Sequence, residues 1–119
     1  MPIVKTVPEE CRDVDFDKTL ARLPDRLGAL FFTEGEQRLR DLDRAMADHD
    51  AKAVMDAAHS LAGLTGLLHI QALPGYAREI YAAAERRDLE AARPAHERLR
   101  IVFNWALERL RPERQGARN

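Results

Sequence analysis

The sequence AKAVMDAAHSLAGLTGLLH, residues 51–69, decides the fold that we expect for this chain. An α-helix turns by about 100° per residue, so apolar residues spaced three and four apart fall on one side of it. In this stretch that side is formed by Val54, Ala57, Ala58, Leu61, Thr65 and Leu68. The spacing therefore predicts an amphipathic helix from Ala51 to about His69, which packs against other helices through this side.

His59 lies on the opposite side of this predicted helix. Ala62, Gly63 and Gly66 share that side with it, so only small residues surround the imidazole. A glycine inside a helix costs about 1 kcal/mol relative to alanine, and two of them beside one histidine indicate that something has to come close. We interpret this side as a surface on which a docking partner reaches a ring nitrogen of His59.

Similar spacing predicts further helices on both sides of this stretch. Three of them cover residues 16–23, 25–48 and 89–110, and a fourth has Pro74 in its first turn, buries Leu73 and ends near Arg87. Asp50 and Asp88 are the expected N-caps of the third and last helices, and either Asp15 or Asp17 can cap the first. No alternation of polar and apolar residues persists as it would in a strand. We therefore expect an all-α fold, an antiparallel up-down four-helix bundle with a short additional N-terminal helix over one end.

The length of 119 residues indicates one domain. Residues 1–14 contain two prolines and no sustained period, so we expect a flexible N-terminal segment there. Residues 15–111 are expected to form the bundle, and residues 112–119 a polar C-terminal tail. A four-helix core that is closed within one chain makes a monomer the expected state.

Composition and charge exclude several classes of partner. The formal net charge is −1, with 33% charged residues of both signs, so no basic surface is expected for nucleic acid or an anionic membrane. The lone Cys11 excludes an internal disulfide and a multi-cysteine zinc site. No apolar stretch approaches the roughly 20 residues of a membrane helix, and the N-terminus lacks a secretory signal. We expect a soluble, cytoplasmic protein.

Two other histidines have structural interpretations. His96 falls on the apolar side of the last predicted helix, where a buried histidine with a hydrogen-bonding partner is the expected arrangement. His69 would lie roughly 15 Å along the helix axis from His59, too far to share its chemistry. We interpret His69 as a helix-end residue.

Residues 59–63, His-Ser-Leu-Ala-Gly, resemble the motif His-x-Leu-Lys-Gly of the histidine phosphotransfer (HPt) domain family. Apolar residues of the preceding helix add to the similarity, namely Phe31, Phe32, Leu39 and Leu42. The turn at residues 85–89 also resembles the one that precedes the family's last helix. The resemblance covers roughly residues 16–110. Two positions depart from the pattern, because the family usually has lysine at the position of Ala62 and commonly has glycine at that of His69.

The resemblance implies that His59 accepts a phosphoryl group from a receiver-domain aspartate or a kinase and passes it to another receiver in a two-component phosphorelay. A neutral imidazole is nucleophilic at cellular pH without a base to activate it. The sequence has no glycine-rich phosphate loop and no paired acidic cluster beside His59. We therefore expect a phosphoryl carrier rather than an enzyme, with no cofactor or metal of its own, and Mg²⁺ supplied by the partner receiver domain.

The expected docking surface around His59 consists of Met55, Ala62, Gly63, Gly66 and Leu67. Response-regulator receiver domains are the expected partners, and a hybrid histidine kinase is a further candidate. Because Ala62 replaces the usual lysine, an alternative is an adaptor of the same fold that binds a receiver or kinase without carrying phosphate. An unrelated helical interaction module is the third class. The sequence leaves open the donor, the acceptor, the direction of phosphate flow and which ring nitrogen reacts.

Overall fold

The computed structural model describes residues 6–23 and 25–111, and these ranges contain five α-helices and no strand. The helices are α1 (Phe16–Arg22), α2 (Asp25–Ala47), α3 (Ala51–Thr65), α4 (Ala72–Glu85) and α5 (Leu89–Leu110). Short 3₁₀ turns occupy Glu9–Cys11 and Gly66–Leu68. The all-α prediction is thereby confirmed. The predicted tail at 112–119 and the first five residues of the predicted flexible segment lie outside the described residues.

Aspartate side chains cap three of the helix starts, each by accepting a hydrogen bond from the backbone N–H three residues later. Asp15 accepts from Lys18 at 3.0 Å, Asp50 from Ala53 at 3.1 Å and Asp88 from Ala91 at 3.3 Å. Such caps satisfy backbone donors that have no partner within the helix. The two caps expected for α3 and α5 are confirmed, and Asp15 is the cap of α1.

The end of α3 differs from its prediction. The α-helix stops at Thr65, the chain tightens into the 3₁₀ turn Gly66–Leu68, and His69 follows with a left-handed φ of 59°. Helices commonly tighten in this way at their last turn, and glycine at position 66 disfavours another α-helical turn. The helix-end interpretation of His69 is confirmed. Helix α4 begins at Ala72, so Pro74 lies in its first turn, where a missing N–H costs little.

The four long helices pack as a closed ring around one apolar core, with α2 contacting both α3 and α5, and α4 contacting both α3 and α5. Gly35 allows the close approach of α2 to α5. A Cβ atom at this position would lie 2.9 Å from both Phe103 Cζ and Leu107 Cδ2. The ring of Phe103 meets that of Phe31 edge-on, with 6.4 Å between centroids and 77° between planes. Gly35 therefore makes room for the side chains of Phe103 and Leu107.

A partly buried carboxylate ties the N-terminal 3₁₀ turn to α4 and α5. Glu10 accepts hydrogen bonds from Arg98 Nε at 2.7 Å, Arg98 Nη2 at 2.6 Å and the Tyr76 hydroxyl at 2.7 Å. The bond from Arg98 lowers the pKa of Glu10 to about 2, whereas burial and the bond to Glu10 raise the pKa of Tyr76. Cys11 is 2% exposed, and burial raises the pKa of its thiol to about 11. Residues near the start of the chain thus contribute to the core.

We expect Glu10→Gln to lower the free energy of unfolding by about 1–2 kcal/mol at pH 7, because the amide cannot accept both bonds from the partly exposed Arg98. The pKa of Glu10 is lower in the folded state than the value of about 4.3 in an unfolded chain. The contribution of the Glu10 carboxylate to stability is therefore complete at a pH above the unfolded-state pKa. It is lost as the pH falls toward the folded-state pKa of about 2. Urea unfolding followed by circular dichroism at pH 7, 5 and 3 measures this change.

Glu9→Gln is the matched control for that experiment, since Glu9 is the exposed neighbour of Glu10. The stability difference between wild type and Glu10→Gln should shrink at acid pH, because other titrating groups are common to both proteins. A difference that stays the same from pH 7 to pH 3, or equals that of Glu9→Gln, would show that the carboxylate does not hold the turn.

Candidate functional site

His59 projects from α3 on the side turned away from the core. The residues predicted to face the core are all buried, with at most 6% of their surface exposed: Val54, Ala57, Ala58, Leu61, Thr65 and Leu68. Thr65 satisfies its buried hydroxyl by donating to the Leu61 carbonyl at 2.6 Å. The imidazole of His59 is exposed. One helix therefore anchors itself through one side and presents a histidine on the other.

The glycines beside His59 open onto free surface. Gly63 and Gly66 are exposed, and a Cβ atom built at either position has no heavy atom within 4 Å. Packing between helices therefore does not explain them. Of the other residues expected around the histidine, Leu67 is 50% exposed, whereas Met55 and Ala62 are half-buried against the core. Because glycine has no side chain, the surface next to His59 is recessed where Gly63 and Gly66 lie.

An open groove of about 300 Å³ runs beside His59, between α3 and α4. It is lined by Ala58, His59, Ala62, Ala77, Arg78 and Tyr81. Ala58 and Ala77 are fully buried and form its base. The Tyr81 ring is tilted by 54° to the imidazole, with 6.4 Å between the two centroids. The lining of the groove is thus mainly apolar, and His59, Arg78 and Tyr81 are the residues on it that carry polar groups.

Sequence reasoning did not identify Arg78 or Tyr81 as site residues. Ala77 and Ile80 belong to the buried side of α4. Arg78 comes directly after Ala77 and Tyr81 directly after Ile80, so both lie on an edge of that side. Their position on an edge could be read from the sequence. Which residues of α3 lie next to that edge depends on how α4 is rotated against α3, and the apolar pattern of one helix does not specify this rotation.

Charged residues lie on the same side of α3 before His59. Asp56 and Lys52 are three and seven residues earlier, and they form an exposed ion pair with an N–O distance of 3.4 Å. Residues at these spacings share one side of a helix. The Asp56 carboxylate therefore lies one turn from the imidazole, and Lys52, the nearest cation on α3, forms its ion pair with that carboxylate.

His96 has the partner that its position in the last helix predicts. Its Nε2 lies 2.7 Å from Asp43 Oδ1, and Arg100 Nε lies 3.3 Å from the same oxygen. The side chain of His96 is 17% exposed, so this interaction links α5 to α2 in a partly buried position. His96 therefore has a structural role.

Within the part of the chain that the structure describes, no three side chains of histidine, cysteine, aspartate or glutamate are grouped to hold a metal ion. The described helices also include none with the length and apolar character needed to cross a membrane.

These features define a class of protein, a helical bundle that presents a histidine at an open surface groove. A family model described as Hpt domain matches residues 26–112, which include all four long helices except the first residue of α2. The chain belongs to the Hpt domain family. Hpt domains take part in histidine phosphotransfer within two-component phosphorelays. Neither the curated proteins nor the solved structures contain a match to this chain.

Proposed function

We propose that this protein is a phosphoryl carrier in which His59 accepts a phosphoryl group from a receiver-domain aspartate or a kinase and passes it to another receiver. The observation that carries the proposal is the exposed imidazole at the motif position of an Hpt domain, beside open glycines. Transfer requires the donor to come within bonding distance of a ring nitrogen, and this surface allows that approach.

The proposed step is an in-line displacement. The lone pair of Nε2, the ring nitrogen farther from the backbone, forms a bond to phosphorus while the bond from phosphorus to the aspartyl oxygen breaks. The aspartate leaves as a carboxylate, and the proton on Nδ1 stays on the ring during the transfer. The reverse displacement on a second receiver returns His59 to its neutral form. Mg²⁺ held by the receiver would supply the charge neutralisation for both steps, so in this proposal the chain acts as substrate and carrier rather than as an enzyme.

The proposed docking surface joins the open glycines to nearby apolar side chains. Gly63 and Gly66 let the receiver backbone approach His59, while Leu67 and the exposed part of Met55 offer apolar contact. Ala62 lines the groove beside His59. Such a small surface suits a transient encounter, which a relay needs because each partner has to leave after transfer.

We also propose that the four long helices run up and down in antiparallel order within a monomer, with α1 as the short additional helix. Only three residues separate α2 from α3, and three separate α4 from α5. Helices that contact each other across such short connections reverse direction. This order closes the core within one chain.

Phosphoryl transfer from a panel of phosphorylated receiver domains in the presence of Mg²⁺ tests the function, with phosphoramidate as a donor that needs no docking. Wild type and His69→Gln are expected to gain an acid-labile, base-stable label, and His59→Gln none. His69 is the matched control because it is an exposed histidine close to the end of the same helix. Equal label on His59→Gln and wild type would contradict the assignment of His59.

The replacement of the usual motif lysine by Ala62 favours one second candidate, an adaptor that binds a receiver or kinase without carrying phosphate. In that case wild type remains unlabelled with every donor, and His59→Gln binds the receiver as well as wild type does. Binding measured by isothermal titration calorimetry separates the two functions.

A further inference from the structure

We propose that Arg78 of α4 binds the phosphoryl oxygens when His59 is phosphorylated. The inference rests on the proposed function, because it requires a phosphoryl group on this histidine. It adds a residue from a different helix to the site, one that lies outside the residues 59–63 that carry the family motif.

Helix α3 offers little positive charge near His59 to offset the negative charge of a phosphoryl group. A phosphoryl group brings a charge of about −2, and Asp56 lies one turn from the imidazole with a charge of the same sign. Lys52 forms an ion pair with Asp56. Ala62, at the position one turn after His59, has no charge to contribute. A cation from another element is therefore needed for local neutralisation.

Arg78 is in the right place for this role. Arg78 and His59 line the same groove. Tyr81 follows Arg78 by three residues, so both lie along one edge of α4, and the Tyr81 ring is 6.4 Å from the imidazole between centroids. The edge of α4 that bears Arg78 thus runs next to His59.

The guanidinium of Arg78 is exposed and available for a ligand. Among the residues whose side chains the structure describes, no carboxylate is within the 4.0 Å of an ion pair with it. A guanidinium can donate two parallel hydrogen bonds to phosphoryl oxygens, and it retains its charge at every physiological pH. Ala62 adds to this arrangement, since a long side chain there would project into the groove that Arg78 has to cross.

The experiment compares wild type, Arg78→Ala, Arg78→Lys and the double variant Arg78→Ala/Ala62→Lys. Each is phosphorylated with phosphoramidate, a reaction in which the P–N bond of the donor breaks, a bond from the imidazole nitrogen to phosphorus forms and ammonia leaves. A pH titration above the acid range in which the label hydrolyses, followed by ³¹P NMR, then reports the protonation of the phosphorylated imidazole ring. The protonation midpoint should be higher in Arg78→Ala than in wild type, because loss of the guanidinium favours the protonated form.

A second readout is the equilibrium distribution of label between this protein and a receiver domain that exchanges phosphate with it. Arg78→Ala should shift this distribution about tenfold toward the receiver, the loss expected for one charge-assisted hydrogen bond. The Ala62→Lys change should restore most of the wild-type distribution, and Arg78→Lys should retain part of it. Arg86→Ala is the matched control, an exposed arginine at the end of α4 that does not line the groove.

The outcomes separate the two proposals. If wild type takes up label on His59 while Arg78→Ala and Arg86→Ala titrate and distribute label as wild type does, the role of Arg78 is overturned and the carrier function stands. If wild type takes up no label from either donor, the carrier function fails and the inference fails with it. Circular dichroism shows whether each variant keeps its helical content.

Discussion

Replacement of Gly63 by phenylalanine is expected to slow phosphoryl transfer from a phosphorylated receiver domain by about 100-fold, the scale of loss that small misplacements of reacting groups produce. Gly63 lies one turn after His59 on the same side of α3. A Cβ at this position meets no heavy atom within 4 Å, so the aromatic ring projects outward and the core is undisturbed. The introduced phenyl ring then blocks the path by which a receiver has to approach the imidazole.

The initial rate of label transfer from the receiver measures this effect, and phosphoramidate provides the internal comparison. A donor of that size does not need the docking surface, so Gly63→Phe should react with it at nearly the wild-type rate. Gly28→Phe is the matched control, since Gly28 is a helical glycine of α2 with the same open surroundings. If the receiver transfers label to Gly63→Phe as fast as to wild type, its path does not cross this glycine.

Phe103→Ala is expected to lower the free energy of unfolding by about 4 kcal/mol, a large share of the 5–15 kcal/mol typical of a domain. The Phe103 side chain is fully buried, contacts the Phe31 ring edge-on and fills the space that Gly35 leaves between α2 and α5. Truncation removes this apolar burial and leaves a cavity between the two helices. Urea unfolding followed by circular dichroism measures the loss.

Ile101→Ala serves as the control for this prediction, because Ile101 lies two residues away on the same helix and is 44% exposed. Its cost should be within about 1 kcal/mol, as for most partly exposed positions. Equal losses in the two variants would show that the contact between α2 and α5 contributes no more than a surface residue. The two variants together separate burial from the general effect of alanine on a helix.

Much of the site's local geometry follows from residues close together in sequence. The burial of Leu61, the exposure of His59 and the open setting of Gly63 all depend on helical rotation within α3, which the spacing of apolar residues specifies. The Asp50 cap is local for the same reason, because donor and acceptor are three residues apart. The end of α3 was predicted less well, since the tightening at residues 66–68 is a small difference between two helical forms.

The helical content of the chain, the starts of most helices and the orientation of His59 away from the apolar side of α3 thus follow from local residue patterns. The tertiary structure alone decided that Arg78 and Tyr81 lie beside His59, and that Glu10 meets Arg98, 88 residues further along the chain. The physical reason is the range of the interactions. Capping and amphipathic spacing act within a few residues, whereas the relative rotation and separation of packed helices depend on how all their side chains fit together.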